Sequence, residues 1–138
     1  MAPTHAAPQD QVIVRRKDCD VHIILNRPDA INSLTLDMIR TIAGTLEKAR
    51  SDDTVNLVVM SGMGERGFCA GGDIKTVAEA ARTRSMQQAM AFFAEEYALD
   101  LAIHRYPKPV VVFAHGITMG CGLGLCAGAD VVVATETT

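Results

Sequence analysis

A chain of 138 residues, of which 49% are apolar, is long enough to bury the core of one modest domain. The formal net charge of −3 argues against a nucleic-acid-binding protein, and the apolar content argues against a disordered chain. A globular domain is the expected class, without a membrane partner, because no apolar run reaches the roughly 20 residues of a membrane span.

The N-terminal segment MAPTHAAPQDQ predicts a flexible tail over residues 1–11, ahead of a domain that occupies residues 12–138. It lacks the basic and apolar regions of a secretory signal and the Arg-rich pattern of a transit peptide. We therefore expect a cytoplasmic protein, or a protein of the mitochondrial matrix if the source is eukaryotic. The cysteines follow neither zinc-ligand nor disulfide-scaffold spacing, which predicts reduced thiols and no metal site. They are Cys19, Cys69, Cys121 and Cys126.

The first predicted elements are two β-branched runs, QVIVRR and VHIILNRP, which form a strand pair across the turn-like KDCD. The segment SLTLDMIRTIAGTLEKAR predicts an amphipathic helix, capped by Ser33 or Thr35. Three later runs, NLVVMSG, VVVFAHG and DVVVAT, predict fully buried strands. Two helices between the first two of these strands and a short helix before the third give an α/β order. Because no helix follows to cover the last strand, we expect the natural protein to continue beyond Thr138.

Two Gly-rich segments each follow a predicted strand and lead into a predicted helix. The first Gly-rich loop, GERGFCAGGDIK, spans residues 64–75, and the second Gly-rich loop, HGITMGCGLGL, spans residues 115–125. At such junctions backbone N–H groups lack partners within the helix, so an oxyanion or a phosphate is the expected ligand. Either loop alone could equally be a tight turn. Together the loops could direct two N–H donors at one developing oxyanion, as acyl chemistry requires.

A dinucleotide site is disfavoured in the second Gly-rich loop. The dinucleotide fingerprint needs Gly-x-Gly-x-x-Gly directly after a strand, whereas GCGLGL spaces its glycines differently and follows HGITM. The sequence also contains no phosphate-binding Gly-Lys-Ser/Thr motif.

Glu96 interrupts an apolar stripe of the helix predicted between Ser85 and His104, whereas Glu95 lies off that stripe. A carboxylate on an inward face is costly unless it is paired or faces a polar cavity. Glu96 is therefore predicted to line a ligand pocket or, alternatively, to lie at a solvated edge of the stripe. The stripe consists of Phe92, Glu96, Leu99 and Ile103.

The remaining polar candidates are assigned structural roles. His22, His104 and His115 are expected to be structural or surface histidines, and Asp130 is expected to be a turn or cap residue. No Ser or Cys has a His partner arranged as in a nucleophilic triad.

Four motifs carry a resemblance to a known family: NRPDAINSLTLDMI, GFCAGGDIK, KPVVVFAHGITMGCGLGL and ADVVVATE. Their order and spacing resemble the enoyl-CoA hydratase/isomerase (crotonase) superfamily from about Val12 to Thr138. The resemblance implies a crotonase-like spiral of strand-strand-helix repeats, here without its C-terminal part. It also implies a homo-oligomer, such as a trimer or hexamer, and acyl-CoA substrates, with coenzyme A as part of the substrate and no separate cofactor. In the superfamily two backbone N–H groups bind the thioester oxygen, and the matching residues are Gly72 and Cys121.

Gly124 stands where hydratases of the superfamily carry a catalytic glutamate, which disfavours two-base hydration. The pattern HGITMGxGxGL, with AGGDI and EEY, looks most like the 3-hydroxyisobutyryl-CoA hydrolase subfamily, thioesterases of valine catabolism. In that subfamily the glutamate matching Glu96 lines the substrate site, and Ala70 and Asp73, on either side of the Gly71–Gly72 pair, are expected substrate contacts. A hydratase or isomerase that uses downstream carboxylates, and an inactive acyl-CoA-binding fragment, are the alternatives.

Overall fold

The structure is a computed structural model that describes residues 10–83 and 86–138. Its strands and helices confirm the α/β order predicted from the sequence. The strands are β1 (Val12–Lys17), β2 (Asp20–Leu25), β3 (Leu57–Gly62), β4 (Val110–Ala114) and β5 (Val131–Ala134). The helices are α1 (Leu36–Ser51), α2 (Ile74–Thr83), α3 (Met86–His104) and α4 (Cys121–Ala127).

The five strands form one sheet in chain order, β1-β2-β3-β4-β5. β1 and β2 are antiparallel, joined by a turn in which Asp18 has a φ of 52°. The other neighbours are parallel, and one or two helices connect each parallel pair. Since the carboxyl ends of parallel strands lie at one edge of a sheet, the two Gly-rich loops leave β3 and β4 side by side.

Helix α1 begins where the sequence provides a cap. Of the two candidates, the structure selects Thr35, whose Oγ1 accepts a hydrogen bond from the Met38 amide at 3.2 Å. The buried face of α1 packs on the sheet and on α3, and this face supplies much of the core. Its buried residues are Met38, Ile39, Ile42, Leu46 and Ala49.

The burial predicted for the last strand is wrong. All four residues of β5 are exposed, and Val131 retains 50% of its accessible surface. β5 is the edge strand, which pairs only with β4, and no helix follows it within the described residues. Asp130, immediately before this strand, accepts a hydrogen bond from the Val110 amide at 2.8 Å, so the structural role predicted for it is confirmed.

The start of the chain is only partly described. The tail predicted over residues 1–11 lies outside the described residues as far as residue 9. The Asn26 backbone and side chain donate hydrogen bonds to the carbonyl oxygens of Gln11 and Asp10, respectively. In the part of the chain that the structure covers, we find no helix with the length and apolar character needed to cross a membrane.

Candidate active site

The two Gly-rich loops meet at the edge of the sheet where β3 and β4 end. The Cys69 amide donates to the Ile117 carbonyl oxygen at 3.2 Å, and the Met119 amide donates back to the Cys69 carbonyl oxygen at 3.1 Å. A further bridge joins Gly67 to Gly116. The convergence that the sequence suggested as a possibility is therefore present in the fold.

The backbone of the first Gly-rich loop lies directly against α4. A side-chain carbon built on Gly122 would overlap the Cys69 carbonyl oxygen and lie 2.8 Å from Cys69 Cβ. This contact is closer than real Cβ atoms make, so only glycine allows α4 to approach the loop this closely.

Among the backbone amides of these loops, those of Gly72 and Cys121 are the two that the sequence predicted as donors to an oxyanion. Neither the Gly72 amide nor the Cys121 amide donates a hydrogen bond to any residue that the structure describes. The loops carrying them are in contact: a Cβ built on Gly71 would lie 3.8 Å from the Cys121 amide nitrogen, and one built on Gly72 would lie 3.3 Å from Cys121 Sγ. Unpaired backbone donors are rare unless they face water or a ligand, so this junction is the candidate site for an oxyanion.

The Asn32 side chain holds the start of the first Gly-rich loop by hydrogen bonds. Its fully buried side chain donates to the carbonyl oxygens of Met63 (2.9 Å) and Gly67 (3.1 Å) and accepts from the Arg27 amide (2.8 Å). Ile31 and Asn32 both have positive φ, 48° and 54°, which is uncommon for a β-branched residue. No role was predicted for Asn32, because the two carbonyls to which it donates are more than thirty residues away in the chain.

Replacing Asn32 by Ala is expected to destabilise the domain by about 2–3 kcal/mol, because one buried carbonyl, one partly buried carbonyl and one partly buried amide lose their partner. Equilibrium urea unfolding measures this change. Asn32→Asp is a second test variant: it tolerates positive φ and keeps the acceptor for the Arg27 amide but loses both donated bonds, so we expect it also to be destabilised. Wild-type stability in both variants would contradict a supporting role for Asn32.

Asp73 and Ala70 both have partners within the protein. Asp73 Oδ2 accepts from the Arg27 guanidinium at 3.1 Å, and Oδ1 accepts from the Thr76 amide in the first turn of α2. The Ala70 amide donates to the Ile31 carbonyl oxygen at 2.9 Å. These bonds hold the loop around Gly72, and the substrate contacts expected of Asp73 and Ala70 stay predictions.

Glu96 is buried, as the pocket hypothesis requires. It retains only 5% of its accessible surface, so the alternative of a solvated stripe edge is wrong. Glu95 lies off the stripe and pairs with Arg40, with 2.8 Å between Oε1 and the guanidinium, an interaction that holds the pKa of Glu95 below its usual value. Adjacent glutamates thus lie in opposite environments, as helical spacing predicted.

The Glu96 carboxyl faces acidic neighbours. Burial, together with a hydrogen bond and the charge of Glu96, raises the pKa of Asp100 to about 7. Burial and then the charge of Glu96 raise the pKa of the Cys121 thiol to about 12, so this thiol stays protonated at neutral pH. Asp100 was not predicted as a site residue, although its position one turn after Glu96 places it on the same helix face.

His115 has a structural contact, as expected of it. His115 Nε2 lies 2.8 Å from the Gly64 carbonyl oxygen, which ties β4 to the first Gly-rich loop. The cysteines in the described part of the chain are all free, as predicted. No group of three potential metal ligands occurs among these residues.

Solved structures share this fold. The carnitinyl-CoA dehydratase from Mycobacterium thermoresistibile superposes with a TM-score of 0.90 at 43% identity, over 94% of this chain and 38% of that one. The enoyl-CoA hydratase from Rhodobacter sphaeroides 2.4.1 gives a TM-score of 0.88 at 35% identity, over 92% of this chain and 38% of that one. The fold is therefore that of a crotonase-like α/β protein.

The family model described as enoyl-CoA hydratase/isomerase matches residues 21–138, and the chain belongs to this family. It is 42% identical over 132 residues to the human protein named 3-hydroxyisobutyryl-CoA hydrolase, mitochondrial, covering 96% of this chain and 34% of that protein. The protein of the same name from Danio rerio is 47% identical over 116 residues, covering 84% of this chain and 30% of that protein. The chain thus spans about a third of the length of these relatives.

Proposed function

We propose that the natural protein is an acyl-CoA thioester hydrolase, which converts 3-hydroxyisobutyryl-CoA and water to 3-hydroxyisobutyrate and coenzyme A in valine catabolism. The observation that carries the proposal is the pair of amides, Gly72 and Cys121, which lie on two loops in contact with each other and have no partner among the described residues. The names of the human and zebrafish relatives support the choice of substrate.

The two amides would act on the thioester carbonyl. When water attacks this carbon, negative charge develops on the oxygen, and donors already aimed at it stabilise the transition state more than the ground state. Each donor of this kind contributes about 3–4 kcal/mol in comparable sites. Carboxylates from sequence after residue 138 would complete the proton transfers of hydrolysis.

Glu96 would recognise the acyl group. Its carboxyl lies next to Cys121, whose amide is one of the two proposed donors. A hydroxyl on the acyl chain could donate a hydrogen bond to this buried carboxylate, which would otherwise remain poorly solvated. The thiol of Cys121 would narrow the same pocket and favour a short acyl chain.

A hydratase or dehydratase is the second candidate, favoured by the name of the dehydratase structure that is 43% identical to this chain. Residue 124 argues against it. A Cβ built on Gly124 would lie 2.6 Å from Asp100 Oδ2, so a larger side chain at residue 124 requires Asp100 to move. Residue 124 therefore lacks the glutamate that the hydratase resemblance would require, and the Asp100 carboxylate occupies the space beside it.

The proposal is tested by measuring free coenzyme A released from 3-hydroxyisobutyryl-CoA by the natural protein, with hydration of crotonyl-CoA measured in parallel. Thioester cleavage faster than hydration is expected. Faster hydration would support the second candidate. Calorimetric binding of an acyl-CoA without either reaction would identify a binding module.

Glu96→Gln is expected to raise KM for 3-hydroxyisobutyryl-CoA about tenfold, because the amide is a weaker acceptor for the acyl hydroxyl than a carboxylate. Isobutyryl-CoA, which lacks that hydroxyl, should show a much smaller change. Glu95→Gln is the control, because it alters a partly exposed pair with Arg40 on the same helix. Unchanged kinetics of the Glu96 variant with both substrates would show that Glu96 does not bind the acyl group.

Other properties of the natural protein follow from the same proposal. Coenzyme A enters as part of the substrate, so the reaction needs no separate cofactor. A homo-oligomer is proposed from the family resemblance. The two curated relatives are named as mitochondrial proteins, which fits the matrix alternative, and a cytoplasmic location stays a prediction.

A further inference from the structure

Glu96 and Asp100 form an acidic pair on α3. They are one turn apart, so their side chains lie on the same helix face. Glu96 is 5% exposed, and Asp100 Oδ1 is buried and accepts no hydrogen bond from any residue in the described ranges. Glu96 lies within hydrogen-bonding reach of Asp100, and its charge acts on the Asp100 carboxyl.

No cation faces the pair among the residues that the structure covers. From α4 the facing groups are the Cys121 thiol and the backbone at Gly124, whose missing side chain leaves the space that the Asp100 carboxylate occupies. From α1, Arg40 is engaged by Glu95 on the other flank of α3, and Arg50 lines a cavity with Ala102 near the end of α3. No charged group of α2 acts on Asp100, and the backbone of His104, one turn further along α3, packs against Gly128.

Two carboxyl groups in this arrangement cannot both ionise at low cost. With no positive charge to compensate them, like charges in a partly dehydrated site favour a state in which the pair retains one proton. That proton also provides a hydrogen bond between the two carboxyl groups, because a protonated carboxyl becomes a donor to its neighbour. Proton loss from the pair is expected close to neutral pH.

We infer that Asp100 is a positioning residue, whose protonated carboxyl donates a hydrogen bond to Glu96 and holds the Glu96 carboxylate beside Cys121. The arrangement of the pair stands on its own geometry, whereas its effect on turnover rests on the proposed thioesterase function. Deprotonation of Asp100 would remove the donor and place two negative charges side by side. Glu96 would then lose its orientation towards the acyl group.

Carboxyl ¹³C NMR of the natural protein tests the pair without requiring turnover. A side-chain carboxyl that titrates close to pH 7 is expected in the wild type and in the control Glu95→Gln. It should be absent in Asp100→Asn, and Glu96→Gln should move it to lower pH, since the neighbouring charge is gone. A carboxyl near pH 7 that persists in Asp100→Asn, or none in the wild type, would overturn the inference.

The pH dependence of kcat/KM for 3-hydroxyisobutyryl-CoA tests the consequence. Wild type and Glu95→Gln should lose activity above about pH 7, by up to about tenfold per pH unit, as Asp100 loses its proton. Asp100→Asn keeps a donor at every pH, so this alkaline loss should disappear. An alkaline limb retained in Asp100→Asn would overturn the positioning role. A wild type that shows the carboxyl titration but no thioester cleavage would instead refute only the proposed function.

Discussion

Gly122→Ala is expected to destabilise the domain by about 3–5 kcal/mol, or to prevent soluble protein from accumulating. The added methyl group would overlap the Cys69 carbonyl oxygen and lie 2.8 Å from Cys69 Cβ. Backbone atoms cannot rotate away as a flexible side chain can, so α4 would have to move off the first Gly-rich loop. That movement would break the contact on which both unpartnered amides depend.

Equilibrium urea unfolding measures this effect, and Gly44→Ala is its matched control. Gly44 lies within α1, is exposed, and would place its new Cβ in open space. Alanine is a better helix former than glycine, so we expect this control to gain about 0.5–1 kcal/mol. Equal stability of the two variants would show that the close approach at Gly122 does not contribute to the free energy of unfolding.

Gly120→Ala is expected to lower kcat for thioester cleavage about 10²-fold to 10³-fold in the natural protein. Gly120 has a φ of 55° and a ψ of −126°, a conformation that is nearly restricted to glycine. Its new Cβ would meet only an ordinary contact, 3.5 Å from Gly71 Cα. The effect is therefore conformational: the strain is relieved by turning the peptide that carries the Cys121 amide away from the proposed oxyanion.

Steady-state kinetics of Gly120→Ala separates this effect from general damage. The loss should fall mainly on kcat, because the amide acts most strongly on the charged transition state. Gly44→Ala should keep wild-type kinetics. A Gly120→Ala enzyme with normal kcat would exclude Cys121 as an oxyanion donor, and a loss confined to KM would assign that amide to substrate binding alone.

Much of the fold could be predicted because its signals are local. Apolar spacing identified α1 and the burial of Glu96, and β-branched runs identified the strands. The apolar run of β5 predicted burial, although the sequence also indicated that no helix follows to cover this strand, and the strand is exposed. Whether another element packs over a strand depends on residues distant in the sequence.

The site was predictable in outline only. Glycine patterns after two strands indicated that two loops could converge, and the fold brings them into contact. The roles of Asn32 and Asp100 were not predicted, because both depend on the folded structure. Asn32 donates to backbone carbonyls more than thirty residues away, and the pKa of Asp100 is raised by burial. A polar residue in a sequence does not reveal which backbone it will support or how much water it will keep.

The Gly72 and Cys121 amides are proposed to bind the carbonyl oxygen of an acyl-CoA together. Amide ¹H–¹⁵N NMR of the natural protein tests it most directly, with a ketone analogue in which a methylene group replaces the thioester sulfur. Binding should move both amide protons downfield, as new hydrogen bonds do, and leave the amide proton of Gly44, in helix α1, unchanged. An analogue that binds without changing the chemical shift of either amide proton would exclude these two amides as donors to the carbonyl oxygen.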